Sequence, residues 1–145
     1  MLKVRDLMTT NLFTLNESDT LKMARSLMDL QRIRHIPIVN EKRTFIGLIT
    51  HRDILGATIS HLAEIDPVTQ GEIDSGIPVG EIMRVGIKTV TADTLLKEAA
   101  DLLLNHKYGC LPVVNEENEL TGILTEADFL KLTISLMEAL EQNEE

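Results

Sequence analysis

His35-Ile36-Pro37-Ile38-Val39-Asn40-Glu41, continued by Phe45-Ile46-Gly47-Leu48-Ile49-Thr50-His51-Arg52-Asp53, returns 75 residues later as Cys110-Leu111-Pro112-Val113-Val114-Asn115-Glu116 and Leu120-Thr121-Gly122-Ile123-Leu124-Thr125-Glu126-Ala127-Asp128. Each stretch reads as two short apolar strands joined at an Asn-Glu turn and followed by a helix that opens after the threonine. Outward from this core the same offset aligns residues 4–55 with 79–130 without a gap, and fifteen positions are identical, Met8 with Met83 and Thr14 with Thr89 among them. A fixed offset of this length is the mark of an internal duplication.

Upstream of the strand pair, each copy predicts a short strand near Thr14-Leu15 or Thr89-Val90. A helix follows, with apolar residues at helical spacing: Leu21, Ala24, Leu27 and Met28 in the first copy, Leu95, Ala99, Leu102 and Leu103 in the second. Ser18 or Asp19, and Asp93, are the expected N-caps. The second helices carry Ile54 and Leu55, and Phe129 and Leu130. Each copy is thus a β-α-β-β-α unit, and the fold class is α/β of the α+β kind. Three strands with two helices on one face leave the other face bare, so the copies are expected to pack face to face by their sheets with pseudo-two-fold symmetry. The expected organisation is repeat 1 at 1–60, a breaker-rich linker at 61–77, repeat 2 at 78–134, and a helical extension with an acidic tail at 135–145.

The 145 residues include 14 Lys and Arg against 23 Asp and Glu, a net charge of −9 with no basic run, which argues against nucleic-acid binding. Aromatic residues at 3% with no Trp offer no stacking platform for single strands. No apolar run approaches the roughly 18 to 20 residues of a membrane span, and Met1 to Asp6 carry no apolar secretory stretch. A cytoplasmic protein without membrane association is expected. One cysteine excludes an internal disulfide and fits a reducing compartment, and the scattered His61 and His106 do not predict a metal site.

The duplicated pattern is apolar-x-x-Met, Thr-apolar, a helix with Ala, apolar-Pro-apolar-Val and Gly-apolar-apolar-Thr-x-x-Asp. It strongly resembles the cystathionine-β-synthase (CBS) domain, here as a tandem pair or Bateman module. The phrases Ile33 to Val39 and Tyr108 to Val114 resemble the stand-alone bacterial acetoin-utilisation B type. The resemblance implies a non-catalytic regulatory module that binds adenosine-containing ligands such as AMP, ADP or ATP in clefts between the repeats, Mg2+ accompanying the phosphates, with no cofactor required. It further implies a homodimer and a regulated partner protein. By the same resemblance Asp53 and Asp128 take the ribose hydroxyls and Thr50 and Thr125 sit near phosphate. Thr14, Ile36 and Pro37, and Thr89, Leu111 and Pro112, hold the base.

The chemistry of these residues supports two readings. A carboxylate can accept both vicinal hydroxyls of a ribose, and a helix N-terminus favours phosphate. Thr-x-x-Asp is also the sequence of a capping box, which needs no ligand. Arg34, His35, His51 and Arg52 supply cations to meet phosphate, or ordinary solvated ion pairs; the second copy has Gly109, Cys110, Glu126 and Ala127 there, so unequal sites are expected. Tyr108 is placed to stack on a base or to pack at a strand start. Cys110 reads as a small core residue, since no base accompanies it in the motif. The competing functions are an interaction scaffold whose pockets are vestigial, and a nucleotide-processing enzyme. Against the enzyme stands the lack of a nucleophile-base pair or phosphate loop.

Overall fold

The computed structural model describes residues 1–59, 67–106 and 109–144 and divides into two compact units, both of mixed α+β content. One, the first-repeat unit, comprises Phe13–Ile87 with Glu117–Leu120. Its elements are β1 (Leu15–Asn16), α1 (Leu21–Gln31), β2 (His35–Val39), β3 (Phe45–Thr50), α2 (His51–Ile59) and α3 (Pro67–Ser75). The strand order is β1-β2-β3. With α1 as the crossover, β1 runs parallel to β2 in the register Leu15 with Ile38. The turn at Asn40 returns the chain antiparallel, with His35 opposite Thr50. Asn40 Oδ1 fastens that turn by accepting the Lys42 N–H at 2.9 Å and the Thr44 N–H at 3.0 Å.

Two local expectations are corrected in this unit. The N-cap of α1 is Thr20, whose hydroxyl accepts the Met23 N–H at 3.3 Å, because Asp19 is engaged with the Asn16 N–H at 2.8 Å. The linker expected as irregular at 61–77 contains α3 from Pro67 onward, and residues 61–66 lie outside the described ones. Among the described residues this helix begins at Pro67, and proline is tolerated in a first helical turn, where the missing N–H has no helical partner to lose. Asp74 on α3 is 2% exposed and accepts the Arg25 Nε–H of α1 at 2.7 Å, a buried carboxylate that the acidic composition of the segment did not single out.

The second-repeat unit comprises Met1–Leu12, Lys88–Glu116 and Thr121–Glu145. It holds α4 (Leu96–Asn105), β4 (Cys110–Val114), most of β5 (Leu120–Thr125) and α5 (Glu126–Gln142). The strand expected at Thr89-Val90 is reduced to a single parallel bridge between Val90 and Val113. Val90 makes both bonds of that bridge, at 3.0 and 2.9 Å, and the next amide, Thr91, turns to the Thr94 hydroxyl at 3.1 Å. The expected cap Asp93 pairs with Arg5 instead. The N-cap is Leu95, two residues further on and without a side-chain bond, and Leu96 is the buried first residue of α4.

The two cores use the same positions. Leu15, Leu21, Ala24, Met28, Ile36, Ile38 and Ile49 are buried together with Val79, and Val90, Leu96, Ala99, Leu103, Leu111, Val113 and Leu124 with Val4. Val79 and Val4 are themselves partners under the 75-residue offset, so each repeat receives its leading valine from the other's upstream segment. The backbone repeats the exchange. Leu21 N–H donates to Ile77 C=O at 2.8 Å and Val79 N–H to Asp19 C=O at 2.7 Å, while Leu96 N–H donates to Leu2 C=O and Val4 N–H to Thr94 C=O, both at 2.9 Å. Met83 and Met8 belong to the same exchanged segments and pack over Gly47 and Gly122. There an added Cβ would stand 2.5 and 2.9 Å from the sulfur.

Candidate functional site

Thr50 ends β3 and Asp53 lies in the first turn of α2, so the strand-to-helix junction itself brings hydroxyl and carboxylate together. Thr50 donates its N–H to Asp53 Oδ2 at 2.9 Å and its hydroxyl to the same oxygen at 2.8 Å, and its Oγ1 accepts the Asp53 N–H at 3.2 Å. The second junction repeats this. Asp128 Oδ2 accepts the Thr125 N–H at 2.9 Å and its hydroxyl at 3.3 Å, and Thr125 Oγ1 accepts the Asp128 N–H at 3.4 Å. Both motifs are capping boxes, so the reading that needs no ligand is realised as local structure.

One carboxylate oxygen suffices for each cap, and the other faces a different partner in each unit. Asp53 Oδ1 accepts the Arg84 Nε–H at 2.9 Å, with Arg84 Nη2 also 2.9 Å away. Asp128 Oδ1 accepts the Thr9 hydroxyl at 3.3 Å. The Asp53 side chain is 10% exposed and Asp128 8%. Sequence reasoning missed both Arg84 and Thr9. Each follows the repeated methionine, and they correspond under the 75-residue offset, which was the signal available.

The remaining expected residues distribute around these frames. Ile36 and Pro37 of β2 and Leu111 and Pro112 of β4 are buried strand residues, each pair within the same unit as its Thr-x-x-Asp motif. Thr14 and Thr89 are half-buried just before Leu15 and Val90. Arg34, His51 and Arg52 are exposed, and His35 is half-buried at the start of β2. The Arg34 C=O accepts the His51 N–H at 2.9 Å, the bond that Gly109 C=O makes with Glu126 N–H at 3.3 Å, so the junctions match in backbone while differing in charge. Gly109 adopts φ 78°, a left-handed conformation suited to glycine. Tyr108 lies outside the described residues. Cys110 is buried; burial first, and the charge of Glu126 second, push its thiol from 9.0 up to about 12, so it is a core residue and a poor nucleophile at neutral pH.

An open groove of about 480 Å³ in the second-repeat unit is lined by Lys88, Thr89, Val90, Glu98, Asp101, His106 and neighbours. It shares Thr89 with the candidate site, and neither Thr125 nor Asp128 lines it. The groove is lined by both acidic and basic side chains and lacks the Thr-x-x-Asp frame, and the junctions remain the better candidates. Among the described residues, no group of three or more His, Cys, Asp or Glu is placed to hold a metal ion, and no helix is long and apolar enough to cross a membrane.

Comparison with known proteins agrees with this architecture. A CBS domain-containing protein of Dictyostelium discoideum is 31% identical over 135 residues, 93% of either chain. The acetoin utilization protein AcuB of Vibrio cholerae superposes with a TM-score of 0.81 at 36% identity over 98% of this chain and 97% of its own. CBSX2 of Arabidopsis thaliana, in a complex with AMP, superposes at 0.79 with 27% identity over 94% of this chain and 99% of its own. The chain also matches homoserine O-acetyltransferases of methanogenic archaea, but spans only 20% of the one from Methanosarcina acetivorans at 26% identity. The CBS domain family model matches residues 4–60 and again 79–135, and the chain therefore belongs to the CBS domain family as a tandem pair.

Proposed function

We propose that the protein is a non-catalytic regulatory module that binds adenosine-containing ligands, of the AMP, ADP or ATP type, at its Thr-x-x-Asp junctions, and reports energy or metabolite status to a partner protein in the cytoplasm. The observation that carries this reading is the division of labour within Asp53 and Asp128. Oδ2 completes the cap, and Oδ1 is turned toward a side chain outside the helix, where a ribose diol can replace or share that partner. The AMP held by CBSX2, at 27% identity, supports the ligand class. The apolar-Pro strands would hold the base. The start of α2, with Arg34, His51 and Arg52 beside it, would attract phosphate. The exposed apolar residues of α5, Leu130, Ile134, Leu136, Met137 and Leu140, are 55–66% exposed and support pairing of two chains into a homodimer.

The completed capping boxes favour a second reading, an interaction scaffold in which the motifs serve only to start helices. Thermal unfolding with adenine nucleotides, S-adenosylmethionine and guanine nucleotides separates the two. An adenosine ligand at 100 times its dissociation constant stabilises by about 2.7 kcal/mol, and a panel in which no adenine compound raises the midpoint supports the scaffold.

A further inference from the structure

Arg84 and Thr9 occupy equivalent places in the two units. Arg84 exchanges two backbone bonds with Leu48 at 2.8 and 3.0 Å, and Thr9 two with Ile123 at 2.9 and 3.0 Å. Leu48 and Ile123 are again partners under the 75-residue offset. From these matched positions each side chain reaches Oδ1 of its Thr-x-x-Asp carboxylate. The backbone is duplicated and the chemistry is not. Among the described residues, Asp53 carries an ion pair with Arg84, and no ion pair engages Asp128.

We propose that Arg84 makes the first-repeat site select anionic adenosine ligands, while Thr9 leaves the second-repeat site open to neutral or cationic ones. This rests on the ribose-diol reading given above. Two guanidinium N–H groups at 2.9 Å from one oxygen are a charge-assisted contact, stronger than a neutral hydroxyl bond at 3.3 Å. A diol that takes Asp53 Oδ1 must loosen that contact. A neutral nucleoside gives the guanidinium nothing in exchange. A phosphate does, and Arg84, 48% exposed on a long side chain, is free to swing to it. At Asp128 a diol displaces only a hydroxyl, which reorients readily, and the uncompensated carboxylate favours a positive group and disfavours a phosphate. Position 51 fits this division: Glu126 opens α5 with a carboxylate where His51 opens α2 without one.

The test is calorimetry of AMP and adenosine on the full chain with one site silenced at a time. Asp128→Ala leaves the first site, where AMP is expected to bind at least about tenfold more tightly than adenosine. Adding Arg84→Thr should bring that ratio within about threefold, and Arg84→Lys should retain much of it. In Asp53→Ala, which leaves the second site, the ratio is expected within about threefold, rising about tenfold on adding Thr9→Arg. Thr9→Arg and Arg84→Lys decide the matter should Arg84→Thr not fold. Ratios unmoved by substitution at Arg84 or Thr9, with binding intact, would overturn charge selection and leave the diol reading standing. Failure of the wild type to bind either compound would overturn both.

Discussion

Replacing Asp128 by alanine removes three contacts of unequal worth, and the difference makes cap and ligand site separable. The Thr125 N–H at 2.9 Å is a charge-assisted capping bond, while the Thr125 and Thr9 hydroxyls, both at 3.3 Å, lie at the weak end of the range. The cap bond sets the loss of stability at about 1–2 kcal/mol, or roughly 3–6 °C in the unfolding midpoint for a chain of this size. Asp53→Ala loses the same cap and its pair with Arg84, which adds no more than about 1 kcal/mol because Arg84 is half exposed. Losing an acceptor for a ribose diol should weaken binding at the altered site by about 1.5–3 kcal/mol, or roughly 10- to 150-fold. Thermal unfolding without nucleotide gives the first quantity and calorimetry the second. A biphasic wild-type titration, with one phase lost in each variant, is expected. Stability loss in both variants with nucleotide affinity unchanged would refute the ribose assignment and leave the carboxylates as caps alone.

Two further outcomes are open to direct measurement. The Cys110 thiol titrates higher folded than unfolded, so its contribution to stability is whole below about pH 9 and is lost as pH rises toward 12. Alkylation at pH 8 should accordingly be far slower in the native protein than in urea, and equal rates would show that the thiol is not buried. Light scattering at micromolar concentration should give twice the single-chain 16.2 kDa, reduced to one chain by Ile134→Glu with Met137→Glu; a wild-type mass near 16.2 kDa would overturn the homodimer.

The strand pairs and main helices were legible because their signals are local. Alternation of apolar residues and turns placed β2, β3, β4 and β5, and the threonines placed the starts of α2 and α5. Contacts far apart in sequence were not legible in this way. Val4 and Val79 are equally apolar and precede equally similar repeats, so nothing in the order of residues tells that each fills the other repeat's core. Likewise Pro67 and Gly71 read as breakers wherever they stand. The hold of Arg25 on Asp74, 49 residues apart, ties the helix to α1 and is not visible in the local sequence.

The site was half legible for the same reason. Thr50 with Asp53 and Thr125 with Asp128 lie three residues apart, and their mutual bonds follow from spacing alone. The partners of the outward oxygens lie 31 residues away at Arg84 and 119 residues away at Thr9, carried on the exchanged segments. A duplication preserves spacing, and it thereby draws attention to what the copies share. The positions that make two copies functionally unequal are those where the backbone bonds match and the side chains do not. By that criterion Arg84 and Thr9 stand ahead of Arg34 or Arg52, because among the described residues they are matched both in strand pairing and in the carboxylate oxygen they touch. Under the proposed charge selection, a module that keeps two equivalent frames but gives one a guanidinium and the other a hydroxyl would hold ligands of different charge at its two sites.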